Sequence, residues 1–183
     1  SEIVPHRITA AEVAAKKPKA IILSGGPKSV HVEGAPALDP AIYELGIPVL
    51  GICYGCQLVA QQLGGTVSRG GRGEYGRATL VRTETPSTLL GSNTPDVHDV
   101  WMSHFDFVSE APAGFVTTAS TPDAPHALIE NDTRKIYGVQ YHPEVVHTSS
   151  GQDLLVRFLV DVAGCSQDWT MANIVEDQIA AIR

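Results

Sequence analysis

Three cysteines in 183 residues, Cys53, Cys56 and Cys165, are too few for a disulfide framework and lack the paired spacing of a zinc site. Basic residues are also scarce: 13 Lys and Arg against 20 Asp and Glu leave a net charge of −7. Without a basic stripe to neutralise phosphates, nucleic acid is excluded as a partner. No apolar run approaches the roughly 20 residues of a membrane span. Ser1-Glu2-Ile3-Val4-Pro5-His6 has neither the basic start nor the apolar stretch of a secretory signal. The expectation is a cytoplasmic chain, away from membranes, whose cysteines stay reduced, so that at least one thiol is free for chemistry. The 43% apolar and 18% charged residues suit one globular domain over 1–183, burying roughly 70% of its unfolded surface.

What is present reads as alternating strands and helices. Thr9-Ala10-Ala11-Glu12 has capping-box spacing, and Pro18 ends the helix it opens; Ile3-Val4 before it reads as a short strand. Ala20-Ile21-Ile22-Leu23 reads as a buried strand stopping at the tight loop Ser24-Gly25-Gly26-Pro27. Asp39-Pro40 starts a helix, Gly46 caps it, and Ile47 to Ile52 forms the next buried strand. Cys56, Val59, Ala60 and Leu63 then fall at helical spacing before Gly64-Gly65. From Thr66 to Ile129 the chain predicts shorter strands at Arg77–Val81, Val100–Met102, Phe115–Thr118 and Ala127–Ile129. Ile136–Gln140 is a strand, and Leu154, Leu155, Phe158, Leu159 and Val162 mark an amphipathic helix.

Two segments carry chemistry. Gly51-Ile52-Cys53-Tyr54-Gly55 has the form of a nucleophile elbow, in which flanking glycines let a strained turn lift the central side chain out of the sheet. Its place at a helix start is expected to favour the thiolate; alone, the pattern is equally compatible with one more buried cysteine. In His142-Pro143-Glu144 the proline keeps the backbone extended, so residues i and i+2 share a side. Glu144 would then fix the imidazole tautomer, leaving the other nitrogen to take a thiol proton; a surface loop with the same tripeptide is the alternative. Amide hydrolysis through a thioester also needs oxyanion donors, for which the Tyr54 N–H and the Gly25-Gly26 loop are the candidates. Neither Ser24–Lys28 nor Gly70–Gly73 has P-loop spacing, and Glu144-Val145-Val146-His147 has no second copy, so neither bound nucleotide nor metal is expected.

Ile22–Pro27, Gly51–Gln57 and Gly138–Glu144, in that order, resemble the three landmarks of class I glutamine amidotransferases. Glu74-Tyr75-Gly76-Arg77, Val100–His104, Glu144–Thr148 and Trp169-Thr170 bring the likeness to the amidotransferase domains of GMP synthases. The resemblance implies an open, mostly parallel, flavodoxin-like α/β sheet of seven strands with helices on both faces. It implies glutamine hydrolysis at Cys53 with His142 and Glu144, and an oxyanion hole from Gly26 and Tyr54. Gly25, Gln57, Ser103, His104 and Phe105 are the glutamine-binding positions it marks. No cofactor belongs to this domain; ATP and Mg²⁺ would serve a partner synthetase domain that uses the ammonia to convert XMP to GMP.

The chain departs from that pattern in three places. The family's opening strand, carrying Asp-Phe-Gly, and the helix after it are expected to be absent from this chain, which would leave the sheet short of a strand. Phe105 stands where the family has Gly, and its ring is expected to crowd the glutamine carboxylate. No synthetase loop of the Ser-Gly-Gly-Val-Asp-Ser type follows Arg183. The competing readings are the glutaminase component of another amidotransferase and a non-catalytic domain that kept the fold.

Overall fold

The computed structural model describes residues 1–167, with Gly71 and Arg72 described by backbone alone; the Trp169-Thr170 match lies outside the described residues. Helix α1 (Ala10–Lys16) begins on the anticipated capping box: the Glu12 N–H donates to Thr9 Oγ1 at 3.3 Å while the Thr9 N–H donates to Glu12 Oε2 at 2.8 Å. It ends on Lys17 in the left-handed region, immediately before Pro18. Asp39 caps a short 3₁₀ helix (Pro40–Glu44) through the Ala41 N–H and ties it to α1 through the Ala10 N–H.

Strands β1 (Ile21–Leu23), β2 (Val49–Ile52), β3 (Thr66–Arg82), β4 (Val97–Glu110), β5 (Val116–Ser120), β6 (Leu128–Asn131) and β7 (Ile136–Val139) form one sheet in the order β1-β2-β7-β6-β5-β3-β4. Pairing is parallel for β1-β2 and β2-β7 and antiparallel elsewhere. The sheet is therefore mixed, and the expected parallel character is confined to three strands. The burial pattern explains this division. All four residues of β2 and of β7 are buried, as strands covered on both faces must be, whereas β4 alternates buried and more exposed positions along most of its length.

Helices do cover both faces. Val13 of α1, Ile42 and Tyr43 of the 3₁₀ helix, and Leu58 and Val59 of α2 (Tyr54–Gln62) pack on one side with Val49, Ile129 and Ile136. Leu154 of α3 (Gly151–Val156) and Phe158, in the π-helical turns Arg157–Val162 that continue it, pack on the other with Leu50, Leu80 and Tyr137.

Two expectations need correction. Ile3 and Val4 form no strand, and Ile3 is fully exposed. The strands predicted at Arg77–Val81 and Val100–Met102 belong to a pair 17 and 14 residues long. Glycines in β3 conceal its length, because the strand runs through an irregularity between Arg69 and Glu74 instead of ending there.

The three parallel strands end side by side, and the loops after Leu23, Ile52 and Val139 open on one edge, where open α/β sheets bind ligands. Helix α2 starts so close to β1 that a Cβ on Gly55 would lie 2.2 Å from the Leu23 carbonyl oxygen. Gly55→Ala should accordingly lower stability by about 2–3 kcal/mol, measured by denaturant unfolding; wild-type stability in that variant would show that the helix start has room to move.

Candidate active site

Cys53 follows β2 and caps α2 with φ 51° and ψ −104°, a conformation that costs a non-glycine residue on the order of 1–3 kcal/mol. Neighbouring bonds hold it there: the Cys53 N–H donates to the Val139 carbonyl at 2.8 Å, and the Gln57 N–H to the Cys53 carbonyl at 3.1 Å. A Cβ on Gly51 would meet the Gly55 carbonyl at 2.5 Å, so both glycines of the elbow are sterically required.

The thiol is 4% exposed. Its Sγ donates to the Ser103 carbonyl at 3.6 Å, and Gln140 Nε2 donates to Sγ at 3.8 Å. Burial pushes the thiol up to about 11; the Tyr54 backbone N–H pulls it down, the Glu144 carboxylate raises it and the Gln140 amide lowers it. The expectation that the helix start would favour a thiolate is thus reversed in the resting site, because removal from water outweighs the backbone donors.

His142 lies at the end of the segment that leaves β7. Its Nδ1 is 2.7 Å from Glu144 Oε1; a carboxylate accepts, so Nδ1 carries the proton and Nε2 is left as an acceptor. A Cβ on Gly25 would sit 3.1 Å from His142 Cε1 and 3.5 Å from Cys53 Cβ. Imidazole and thiol therefore flank a residue that has no side chain. The backbone of His142 is fixed from both sides: its N–H donates to the Trp101 carbonyl at 2.9 Å, and the Thr148 hydroxyl donates to its carbonyl at 2.6 Å while accepting the Trp101 N–H at 3.0 Å. Thr148 was visible in the sequence only as part of the Glu144–Thr148 match.

Beside Cys53 lies a cavity of about 490 Å³ whose lining includes Gly26, Lys28, Gln57, Arg69, Ser103, His104, Phe105 and Asp106, within the size range of ligand pockets. Gly26, Gln57, Ser103, His104 and Phe105 thus come together as anticipated, and Gly25 stands behind them between Cys53 and His142. Their availability differs. Gln57 Nε2 already donates to the Asp106 carbonyl at 2.6 Å and to Gln140 Oε1 at 3.2 Å. Both ring nitrogens of His104 are engaged, with the Asp106 carbonyl and Glu74 Oε2, each at 3.0 Å. Phe105 is 45% exposed and forms wall rather than floor.

Asp106 was not anticipated. It is 5% exposed, and neither carboxylate oxygen has a hydrogen-bond partner. The signal was present in the alternation of β4, which puts residues 104 and 106 on the same buried face. Gln140, two residues before His142, is also fully buried, but β7 is buried at every position and offers no alternation that would single it out.

This arrangement, a thiol on an elbow and an imidazole that a carboxylate orients on either side of Gly25, at the ends of parallel strands, is that of an amidotransferase. Residues 1–162 match the family Glutamine amidotransferase class-I, and the chain belongs to it. The chain is 56% identical to a GMP synthase (glutamine-hydrolyzing) of Thermobifida fusca over 184 residues, covering all of this chain and 34% of that protein. It is 55% identical to the GMP synthase of Streptomyces coelicolor, covering all of this chain and 35% of that one. It thus spans about a third of the length of these curated relatives. The crystal structure of a Thermoplasma acidophilum protein, described as one component of a GMP synthase, superposes with a TM-score of 0.77 at 27% identity, over 97% of this chain and 83% of that one. The class I architecture expected from the landmarks is borne out.

With the thiol raised to about 11, the thiolate fraction grows only as pH rises into the alkaline range. Iodoacetamide should therefore alkylate Cys53 more slowly than a free cysteine at neutral pH, with a rate that climbs towards pH 11, read by mass spectrometry of the Cys53 peptide. Labelling at neutral pH as fast as a free thiol would show an activated resting thiolate.

Proposed function

We propose that this chain is the glutaminase part of a GMP synthase and hydrolyses the side-chain amide of L-glutamine at Cys53. The observation that carries the reading is Asp106: a buried carboxylate without a partner, in the same cavity as the thiol, is a site for the α-ammonium of an amino acid, since burying such a charge unpaired is costly. Lys28 and Arg69, exposed on the cavity wall, supply cations for the α-carboxylate. Bound by both ends, glutamine extends its amide towards Cys53.

The chemistry of this reading is that of a cysteine nucleophile with a histidine base. His142 Nε2 takes the thiol proton, and Glu144, bonded to Nδ1, stabilises the imidazolium that results. Sγ bonds to the amide carbon, and the oxyanion is met by the N–H groups of Tyr54 and Gly26, each such donor being worth roughly 100 to 1000-fold in rate. Collapse breaks the C–N bond, His142 returns the proton to the leaving nitrogen, and ammonia departs from a thioester. Water, deprotonated by His142, adds to the acyl carbon and releases glutamate and the thiol. A buried neutral thiol suits this order, because the nucleophile is ionised only as its proton passes to His142.

The ammonia would pass to an ATP- and Mg²⁺-dependent synthetase domain that converts XMP to GMP. The identity to GMP synthases along the whole chain supports that assignment. Three cysteines without a disulfide among them, and no helix among the described residues long and apolar enough to cross a membrane, accord with a cytoplasmic enzyme of purine nucleotide synthesis. Supplied with glutamine, the chain should release glutamate. Cys53→Ala should abolish that release, and Asp106→Asn should raise KM for glutamine about a hundredfold. Hydrolysis persisting in Cys53→Ala would remove the nucleophile from the proposal.

A further inference from the structure

Beneath the cavity lies a second histidine–carboxylate pair that the reaction above does not use. His104 and Glu74 face each other across β4 and β3, with side chains 2% and 9% exposed. The pair depends on the irregularity in β3, where residues 70–73 stand against Phe105 alone and bring Glu74 opposite His104. Two glycines permit the detour: a Cβ on Gly70 would lie 2.4 Å from the Phe105 carbonyl oxygen, and one on Gly73 would lie 2.6 Å from the His104 carbonyl oxygen.

Donor and acceptor accounting fixes what the pair holds. The Asp106 carbonyl can only accept, so His104 Nδ1 carries a proton. His104 Nε2 then meets Glu74 Oε2, which also accepts the hydroxyl proton of Thr121 at 2.8 Å. The Thr121 oxygen is in turn occupied as an acceptor for the Ala124 N–H at 3.1 Å. Glu74 Oε2 is thus held by two partners, the His104 ring and the Thr121 hydroxyl. The charges facing one another are Glu74, His104 and Asp106, with Arg69 opposite Asp106 on β3 but exposed. Glu74 is partnered within this network, whereas both carboxylate oxygens of Asp106 are left without a hydrogen-bond partner. The Asp106 carbonyl, meanwhile, is held by His104 and Gln57 together.

We infer that Glu74 and His104, braced by Thr121, are positioning residues that fix Asp106 with its carboxylate free for a ligand, and that they set the preference of the site for substrates bearing an α-ammonium. This rests on the reading of Asp106 given under Proposed function. The test compares kcat/KM for glutamine with that for its desamino analogue, which lacks only the α-amino group. In Glu74→Gln, a near-isosteric change, the preference for glutamine should fall about tenfold, the order expected when a buried charge-assisted bond is weakened. Thr121→Val, which keeps the shape and removes one donor to Glu74, should lower it in the same direction by about threefold. A merely structural pair would depress both substrates alike. An unchanged preference in both variants, with Asp106→Asn losing it, would overturn the inference and leave Asp106 in place. A wild-type chain that did not prefer glutamine over the desamino analogue would instead overturn the reading of Asp106, and this inference with it.

Discussion

Cys53 can hold φ 51° and ψ −104° only because the backbone around it has no side chains to accommodate. Gly51 lies against Gly55, Gly55 against Leu23, and Gly25 between Cys53 and His142, each closer than a Cβ would comfortably allow. Three segments remote in sequence, the ends of β1, β2 and β7, are thereby drawn to one point. The parallel half of the sheet supplies the rigidity: β2 and β7 are buried on both faces, and dense apolar packing is what holds a strained turn in place.

Around that point two electrostatic demands oppose one another. A helix start favours an anion by about 0.3–1 kcal/mol when exposed, and up to about 2 when partly buried, but desolvating the thiol acts more strongly in the other direction. The site thus rests with a neutral nucleophile next to an imidazole whose free nitrogen is an acceptor. Strand β4 presents the contrasting case: the Asp106 carboxylate is buried without a hydrogen-bond partner, while its backbone carbonyl accepts from His104 and Gln57. The candidate chemistry sits on the parallel strands and the candidate recognition on the antiparallel ones.

The parallel half was legible in the sequence because its signals are local. Gly-x-Cys-x-Gly, His-Pro-Glu and the glycine pair at residues 25 and 26 each follow an apolar run, and each lies where such a run predicts. The antiparallel half was less legible. Glycines at 70, 73 and 76 broke the strand pattern of β3, hiding both its length and the fact that Glu74 reaches His104. Asp106 resembled a surface carboxylate, since nothing within one strand reveals what its buried face meets. The thiol was misjudged for a related reason: a helix start is visible in sequence, whereas burial is a property of the assembled fold. Phe105 could be marked as a departure, but only the structure places its ring on the wall of the cavity.

The sheet order places β4 at an outer edge, four positions from β7, yet Trp101 of β4 is bonded to His142 just beyond β7. The sheet must curl back on itself for this to occur, so β4 is at once its last strand and the wall of the pocket. An edge strand has a single ladder to hold it; here β4 is also fastened by the bonds among Trp101, His142 and Thr148, by the Ser149 N–H on the Asp99 carbonyl and by Gln57 on the Asp106 carbonyl. One strand therefore both fixes the backbone of His142 and bounds the space beside Cys53, so a displaced β4 would loosen the histidine and widen the cavity together.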